Sequence, residues 1–398
     1  MRVGLRSVFL VAAGVVLGAL LALSLRAPAL EEPAPLRPPS EPRAIQEVPL
    51  PRQQRQVLLV WTPTALPTGL RQQLAAVPGV DTVTTVNAGT VDLVASRSAS
   101  GQPIDVFERG WSVPLDTFAV QRRSYAAMLP PSASAAIRTL RTGTVVLGET
   151  SARVRGVAVG DVLRVRGGRT FRVAAILDDS VVGGAELLLT RRDGRALGIT
   201  TPRFALVRYA GSRAARERAI RGLVPKGTTA RIRGPGETPF LRHGDAVLPQ
   251  ALLKEAFGEF QYRVPQGARR DFEQDPDWVR DHIVRAKVPL LGTIQCHRGV
   301  MPMVRGALSE LAQEGLGHLI DADQFAGCWN PRLISQGGAV SRHAWGIAVD
   351  VNAVTNPTGQ STAQDPRLVR VMQRWGFTWG GFWLVPDPMH FEYAGPPS

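Results

Sequence analysis

The chain has 398 residues, 44% of them apolar, and a formal net charge of +14. That length exceeds one ordinary domain, and the apolar content is that of a folded protein, which excludes a wholly disordered chain. The positive charge is nearly all arginine, scattered among apolar residues without a basic run or an aromatic-basic module, so it points to anionic wall polymers or lipid headgroups and not to nucleic acid.

Arg2 and Arg6 precede an uncharged apolar run from Ser7 to Leu25. The run is long enough to cross a bilayer as a helix, and the flanking arginines would hold its N-terminus in the cytoplasm. A cleaved signal peptide is the alternative, with Ala27-Pro28-Ala29 as its best small-x-small site. The proline and the length of the run favour an uncleaved anchor over residues 1–26. The rest of the chain is expected to be extracytoplasmic on a single-pass membrane protein, or secreted if the N-terminus is cleaved. Residues 27–55 are rich in Pro, Glu and Arg, which predicts an extended spacer with no core of its own.

Residues 56–225 carry β-rich patterning. Val57–Trp61 reads as a strand, Thr68–Ala76 as a short amphipathic helix, and Val80–Val86 and Thr90–Ala95 as two alternating strands. Thr144–Gly148 is a further strand. Val162–Val165 turns at Gly167-Gly168 and returns as Phe171–Val173, a hairpin. The stretches AAVPGVDTVTTV and LGETSARVRGVAVGDVLRVRGGRTFRVAAIL resemble the extracytoplasmic domain of MacB/FtsX-like ABC-transporter permeases. That resemblance implies a binding or positioning module, with an ABC-transporter or envelope protein as a possible partner; a structural spacer is the plainer alternative. Residues 226–244 are punctuated by Gly227, Gly234, Pro235, Gly236 and Pro239, which predicts a linker.

Residues 245–398 read as helices on a small antiparallel sheet, an α+β class. Helices are expected at Ala251–Phe257, Asp275–Ala286, Met303–Glu314 and Arg367–Trp375. A buried strand is expected at Val288–Ile294, and a closing strand at His390–Tyr393. The sequence Ser341-Arg342-His343-Ala344-Trp345-Gly346-Ile347-Ala348-Val349-Asp350 is followed by Asp387-Pro388-Met389-His390-Phe391-Glu392. His343, Asp350 and His390 supply two imidazoles and a carboxylate, the three protein ligands a catalytic zinc ion takes while leaving a position to water. Asp387, three residues before His390, is placed to act as general base. Gly346 and Ala348 read as packing residues, small enough for the strand to pass close by.

These motifs resemble the zinc D-alanyl-D-alanine carboxypeptidase family, which includes VanY-like enzymes and L-alanyl-D-glutamate endopeptidases. The resemblance implies Zn2+ on His343, Asp350 and His390, with Asp387 as the catalytic carboxylate and peptidoglycan stem peptides as substrate. It also implies substrate contacts from Ser341, Trp379 and Arg332, the last also steadying the oxyanion. Trp379-Gly380-Gly381 and His390-Phe391-Glu392 look more like the endopeptidase branch. The base is Asp where several members have Glu, and Phe382 stands where many have Asp.

Cys296 and Cys328 are the only cysteines. In an exported protein they form a disulfide candidate closing a loop of about thirty residues, worth about 3–4 kcal/mol; two buried thiols are the alternative. The expected function is thus a membrane-anchored zinc peptidase of cell-wall remodelling. The other possibility is a non-catalytic wall- or transporter-associated binding protein with a vestigial zinc site.

Overall fold

The computed structural model describes residues 56–395, apart from 235, 239, 247, 336 and 337. The expected membrane anchor and the Pro-rich spacer lie outside these residues. Among the described residues no helix is long and apolar enough to cross a membrane. The described part is a mixed α+β structure of two lobes, one built on a large sheet and the other on several small ones.

In the N-terminal lobe ten strands among the described residues share one sheet. They are β1 (Val57–Trp61), β2 (Val80–Arg97), β3 (Pro103–Val106), β4 (Val113–Val120), β5 (Thr144–Gly148), β6 (Val162–Val165), β7 (Thr170–Leu177), β8 (Leu187–Thr190), β9 (Pro202–Tyr209) and β10 (Arg231–Arg233). The strand path runs β10-β1-β9-β2-β4-β8-β5-β7-β6, and β6 also pairs with β2, so the second part of the path closes into a ring. Val91, Leu93, Leu115, Val145, Leu163, Phe171 and Leu187 are buried together in one cluster of this part.

The all-apolar sequence of β1 has a direct cause. Val57, Leu59 and Trp61 enter one core and Leu58 and Val60 another, because both faces of this part of the sheet are covered. The segments 80–86 and 90–95, expected as two strands, form the single long strand β2. A register shift at Val86/Asn87 absorbs the irregularity, and the Asn87 amide donates to the carbonyls of Ile199 and Thr200.

The C-terminal lobe has its own core. Its main elements are the helix Met301–Gln313, the helix Pro366–Arg374, the hairpin of β13 (Ile283–Val288) and β14 (Gly292–His297), and a small antiparallel sheet. That sheet consists of β15 (Ala348–Asp350), β16 (Phe377–Trp379) and β17 (His390–Tyr393), after a short ribbon of β11 (Tyr262–Arg263) and β12 (Glu273–Gln274). The helix expected over 275–286 ends at His282, and Ile283–Val288 is a strand. Its residues alternate, Arg285 and Lys287 exposed against less accessible Val284, Ala286 and Val288, as a half-buried strand requires. The strand expected over 288–294 is broken by the hairpin turn, where Pro289 precedes Leu290 at φ 63°. His390–Tyr393 is the central strand of its sheet, between β15 and β16.

The helix Gln250–Phe257 lies at the seam between the lobes. Gln250 and Lys254, one turn apart on one face, both reach the Pro114 carbonyl and the buried Glu186 carboxylate. Arg155 pairs with Glu186 at 2.9 Å and also with Glu259.

Candidate metal centre

Strand register brings two of the three expected ligands together. In the β15–β17 ladder Asp350 is directly opposite His390, and Ala348 is opposite Glu392. His343 comes from a short 3-10 turn, Arg342–Trp345, capped by Ser341, whose hydroxyl accepts from the His343 N–H. Gly346 ends that turn at φ 66°, and a Cβ there would meet the His297 nitrogen at 2.7 Å. Both the left-handed backbone and the close approach to β14 demand glycine.

The ligand atoms converge. His343 Nε2 is 3.0 Å from Asp350 Oδ2 and 3.3 Å from His390 Nδ1, and His390 Nδ1 is 2.9 Å from Asp350 Oδ1. All three residues are buried, with one ligand atom from each lying within 4.8 Å of the others. The other nitrogen of His343 is taken: Nδ1 donates to the Cys328 carbonyl at 2.9 Å, which leaves Nε2 as the atom facing Asp350 and His390. The far side of His390 is different. Its Nε2 is enclosed, 3.7 Å from Glu392 Oε2, without a hydrogen bond among the described residues, and both Glu392 oxygens also lack one. Arg342 Nε lies 3.5 Å from Glu392 Oε1, and its Nη2 donates to the Leu248 carbonyl at 2.7 Å.

The electrostatics arise from this packing. Burial acts to raise the Asp350 carboxyl, but His343 and His390 beside it hold it well below the usual carboxylate range. Burial acts to strip the proton from His390, yet Asp350 and Glu392 push its pKa up to about 10. Burial likewise acts to raise Glu392, and His390 and Arg342 outweigh it and lower its pKa. Two buried carboxylates face a single guanidinium, and the proton held on His390 completes the balance, so a cation that displaced that proton would keep it. Two imidazoles and one carboxylate are a donor set suited to zinc, and the residues present fit such an ion.

The other expected site residues take distinct places. Asp387 is half-buried; its Oδ1 accepts from the Thr358 hydroxyl at 2.8 Å, and its carbonyl accepts from the His390 N–H at 3.1 Å. The segment before the 3-10 turn runs alongside it: the Asn330 N–H donates to the His343 carbonyl, and the Arg332 carbonyl accepts from Ser341. This sets the Arg332 and Ser341 backbones next to one another. Trp379, expected at the substrate, is 9% exposed and its indole N–H donates to the Pro388 carbonyl at 2.8 Å. Trp383 is the tryptophan against the ligands, its ring 5.1 Å from that of His390. Cys296 and Cys328 form a disulfide with a Cα–Cα distance of 5.4 Å. It ties β14 to the residue whose carbonyl fixes His343.

Three participants went unread in the sequence: Arg342, Thr358 and Glu392. Glu392 had a usable signal, since it stands two residues after His390 in a strand and so shares its face. Thr358 had none.

No curated protein matches the chain. Among solved structures it is similar to the periplasmic region of MacB from Actinobacillus actinomycetemcomitans, at 11% identity, covering 46% of this chain and 90% of that one with a TM-score of 0.33. It is also similar to the extracellular domain of the noncanonic ABC-type transporter YknZ from Gram-positive bacteria, at 10% identity, covering 45% of this chain and 100% of that one with a TM-score of 0.30. Residues 335–393, which contain His343, Asp350, Asp387 and His390, match the family model described as D-alanyl-D-alanine carboxypeptidase.

Proposed function

We propose that the chain is a zinc-dependent peptidase that hydrolyses peptide bonds in peptidoglycan stem peptides, of the D-alanyl-D-alanine carboxypeptidase or L-alanyl-D-glutamate endopeptidase type. The observation that carries this is the convergence of three buried ligand atoms within the segment that matches a carboxypeptidase family. His343 through Nε2, Asp350 through its carboxylate and His390 through Nδ1 would hold the ion. Bound zinc lowers the pKa of a coordinated water and polarises a carbonyl.

Asp387 takes a proton from the attacking water and later returns it to the leaving amine. The Thr358 hydroxyl occupies Oδ1 of Asp387 and so leaves Oδ2 for that transfer. Arg332 steadies the developing oxyanion, and Ser341 contributes to substrate binding beside it. The N-terminal anchor places both lobes outside the cytoplasm, where the arginine-rich chain meets anionic wall polymers.

The test uses the full chain, loaded with zinc and incubated with defined stem peptides with and without a chelator, with products identified by mass spectrometry. Chelator-sensitive release of terminal D-alanine supports the carboxypeptidase form, and a cut after L-alanine supports the endopeptidase form. Bound zinc with no chelator-sensitive product from any stem peptide would contradict the proposal and favour a non-catalytic binding protein.

A further inference from the structure

We propose that Asp245 is a positioning residue for this reaction, and that through it the N-terminal lobe fixes the loop carrying Trp383 and Asp387. The catalytic part of this inference rests on the peptidase reading; the clamp on the loop does not.

The loop joins β16 to β17. Its base is closed from within the C-terminal lobe: the Gly380 carbonyl accepts from the N–H groups of both Trp383 and Asp387, each at 3.0 Å. A Cβ at Gly380 would meet the Asp387 carbonyl at 2.6 Å, so the closure requires glycine. These bonds leave the Phe382 carbonyl and the Leu384 amide to be held by something else.

That hold comes from outside the lobe. The Asp245 side chain is only 5% exposed, and its Oδ2 accepts from the Leu384 N–H at 2.7 Å. Its Oδ1 accepts from Arg233 at 2.6 Å and from Arg231, both on the edge strand β10 of the large sheet. Arg231 also donates to the Phe382 carbonyl at 2.9 Å. The Leu384 side chain packs against the same apolar cluster as Phe118 and Phe204 of the N-terminal lobe.

One carboxylate thus joins two guanidiniums of one lobe to a main-chain amide of the other. Without its charge, Arg231 and Arg233 would face each other unscreened, and the Leu384 amide would lose an ionic acceptor. Trp383 sits between the two clamped residues, and Asp387 comes three residues after Leu384. Releasing the middle of the loop would therefore loosen the wall over His390 and the lead into the general base, while leaving the three ligands in place.

The experiment is hydrogen exchange by mass spectrometry on the full chain, comparing the natural protein with Asp245→Asn and Arg231→Lys. Zinc retention against a chelator and stem-peptide kinetics are measured on the same samples. Asp245→Asn is expected to speed exchange of amides 382–387 about tenfold or more and to lower kcat/KM roughly ten- to a hundredfold, with zinc retention unchanged. Arg231→Lys keeps a cation beside Asp245 but loses the fork that also reaches Phe382, so a smaller change of the same kind is expected; it also serves if Asp245→Asn does not fold.

Unchanged exchange at 382–387 in both variants would overturn the proposal. So would faster exchange spread evenly through both lobes with zinc loss, the signature of a merely structural residue. If the natural chain cleaves no stem peptide while exchange at 382–387 still rises in the variants, the peptidase reading falls and the clamp stands.

Discussion

At the seam between the lobes, Arg155 and Lys254 meet Glu186 and Glu259, two cations against two carboxylates. In the candidate metal centre Asp350 and Glu392 meet one guanidinium, that of Arg342, and two imidazoles. Both clusters are buried, so charge imbalance is costly in each. The seam balances its charge with side chains alone, and its carboxylates are spent on Lys254, Arg155, Gln250 and the Asp116 N–H. The centre balances its second carboxylate only with a proton on His390, and it keeps converging ligand atoms and enclosed oxygens without hydrogen bonds. A buried polar cluster balanced by fixed cations holds structure, whereas one balanced by a removable proton can exchange that proton for a metal ion.

The contrast can be tested from either side. Asp387→Ala, which leaves the ligands intact, is expected to lower turnover by about 10²–10⁴-fold with zinc retained; metal analysis and steady-state kinetics on one sample check this, and normal turnover would remove Asp387 from its role. At the seam, Glu186→Ala would leave the buried Arg155 and Lys254 sharing Glu259 alone and is expected to cost about 3–5 kcal/mol in stability without changing the zinc content of the folded protein. Denaturant melts alongside metal analysis would show whether the two clusters are independent in this way. Glu392→Gln keeps the shape but removes the charge behind His390 and should weaken zinc retention about 10–100-fold, read by competition with a chromophoric chelator. An unchanged affinity would make Glu392 a bystander.

The smallest expected effect at neutral pH concerns His243, which stacks on Phe204 at 5.7 Å with its Nδ1 enclosed and unpaired among the described residues. Burial pulls its pKa from 6.5 down to about 3. The folded state therefore binds fewer protons than the unfolded chain below pH 6.5, and stability falls as pH drops from 6.5 toward 3. The slope from this group is at most about 1.4 kcal/mol per pH unit. His243→Phe should flatten that part of a stability-against-pH curve; an unaltered slope would assign it to other groups.

Much of the site was legible because its chemistry is written in short segments. His343 and Asp350 lie within one stretch, and Asp387 and His390 within another, so residue type and spacing point to one set of ligands. Elements with clean local periodicity were equally readable: β1, the β6–β7 hairpin and the helix Met301–Gln313 form where apolar spacing places them. The misread stretch 275–294 shows the limit. Its period-two pattern over Ile283–Val288 was present, but the helical signal before it was extended too far, and Pro289 was carried into a strand it interrupts.

Other features depend on contacts between distant parts of the chain. Asp245 gains its meaning from Arg231, Arg233 and Leu384, and Lys254 from Glu186 and Pro114, partners that no local pattern connects. Trp379 and Trp383 stand four residues apart, and only the folded loop separates the one spent on Pro388 from the one facing His390.

The most direct test of the account is zinc stoichiometry in the full chain and in Asp350→Ala, measured by elemental analysis after equilibration against a weak chelator. The Asp350 carboxylate meets both imidazoles, Oδ2 lying 3.0 Å from His343 Nε2 and Oδ1 2.9 Å from His390 Nδ1. About one zinc ion per natural chain is expected, and almost none in the folded variant. Equal metal content in the two, or none in the natural chain, would contradict it.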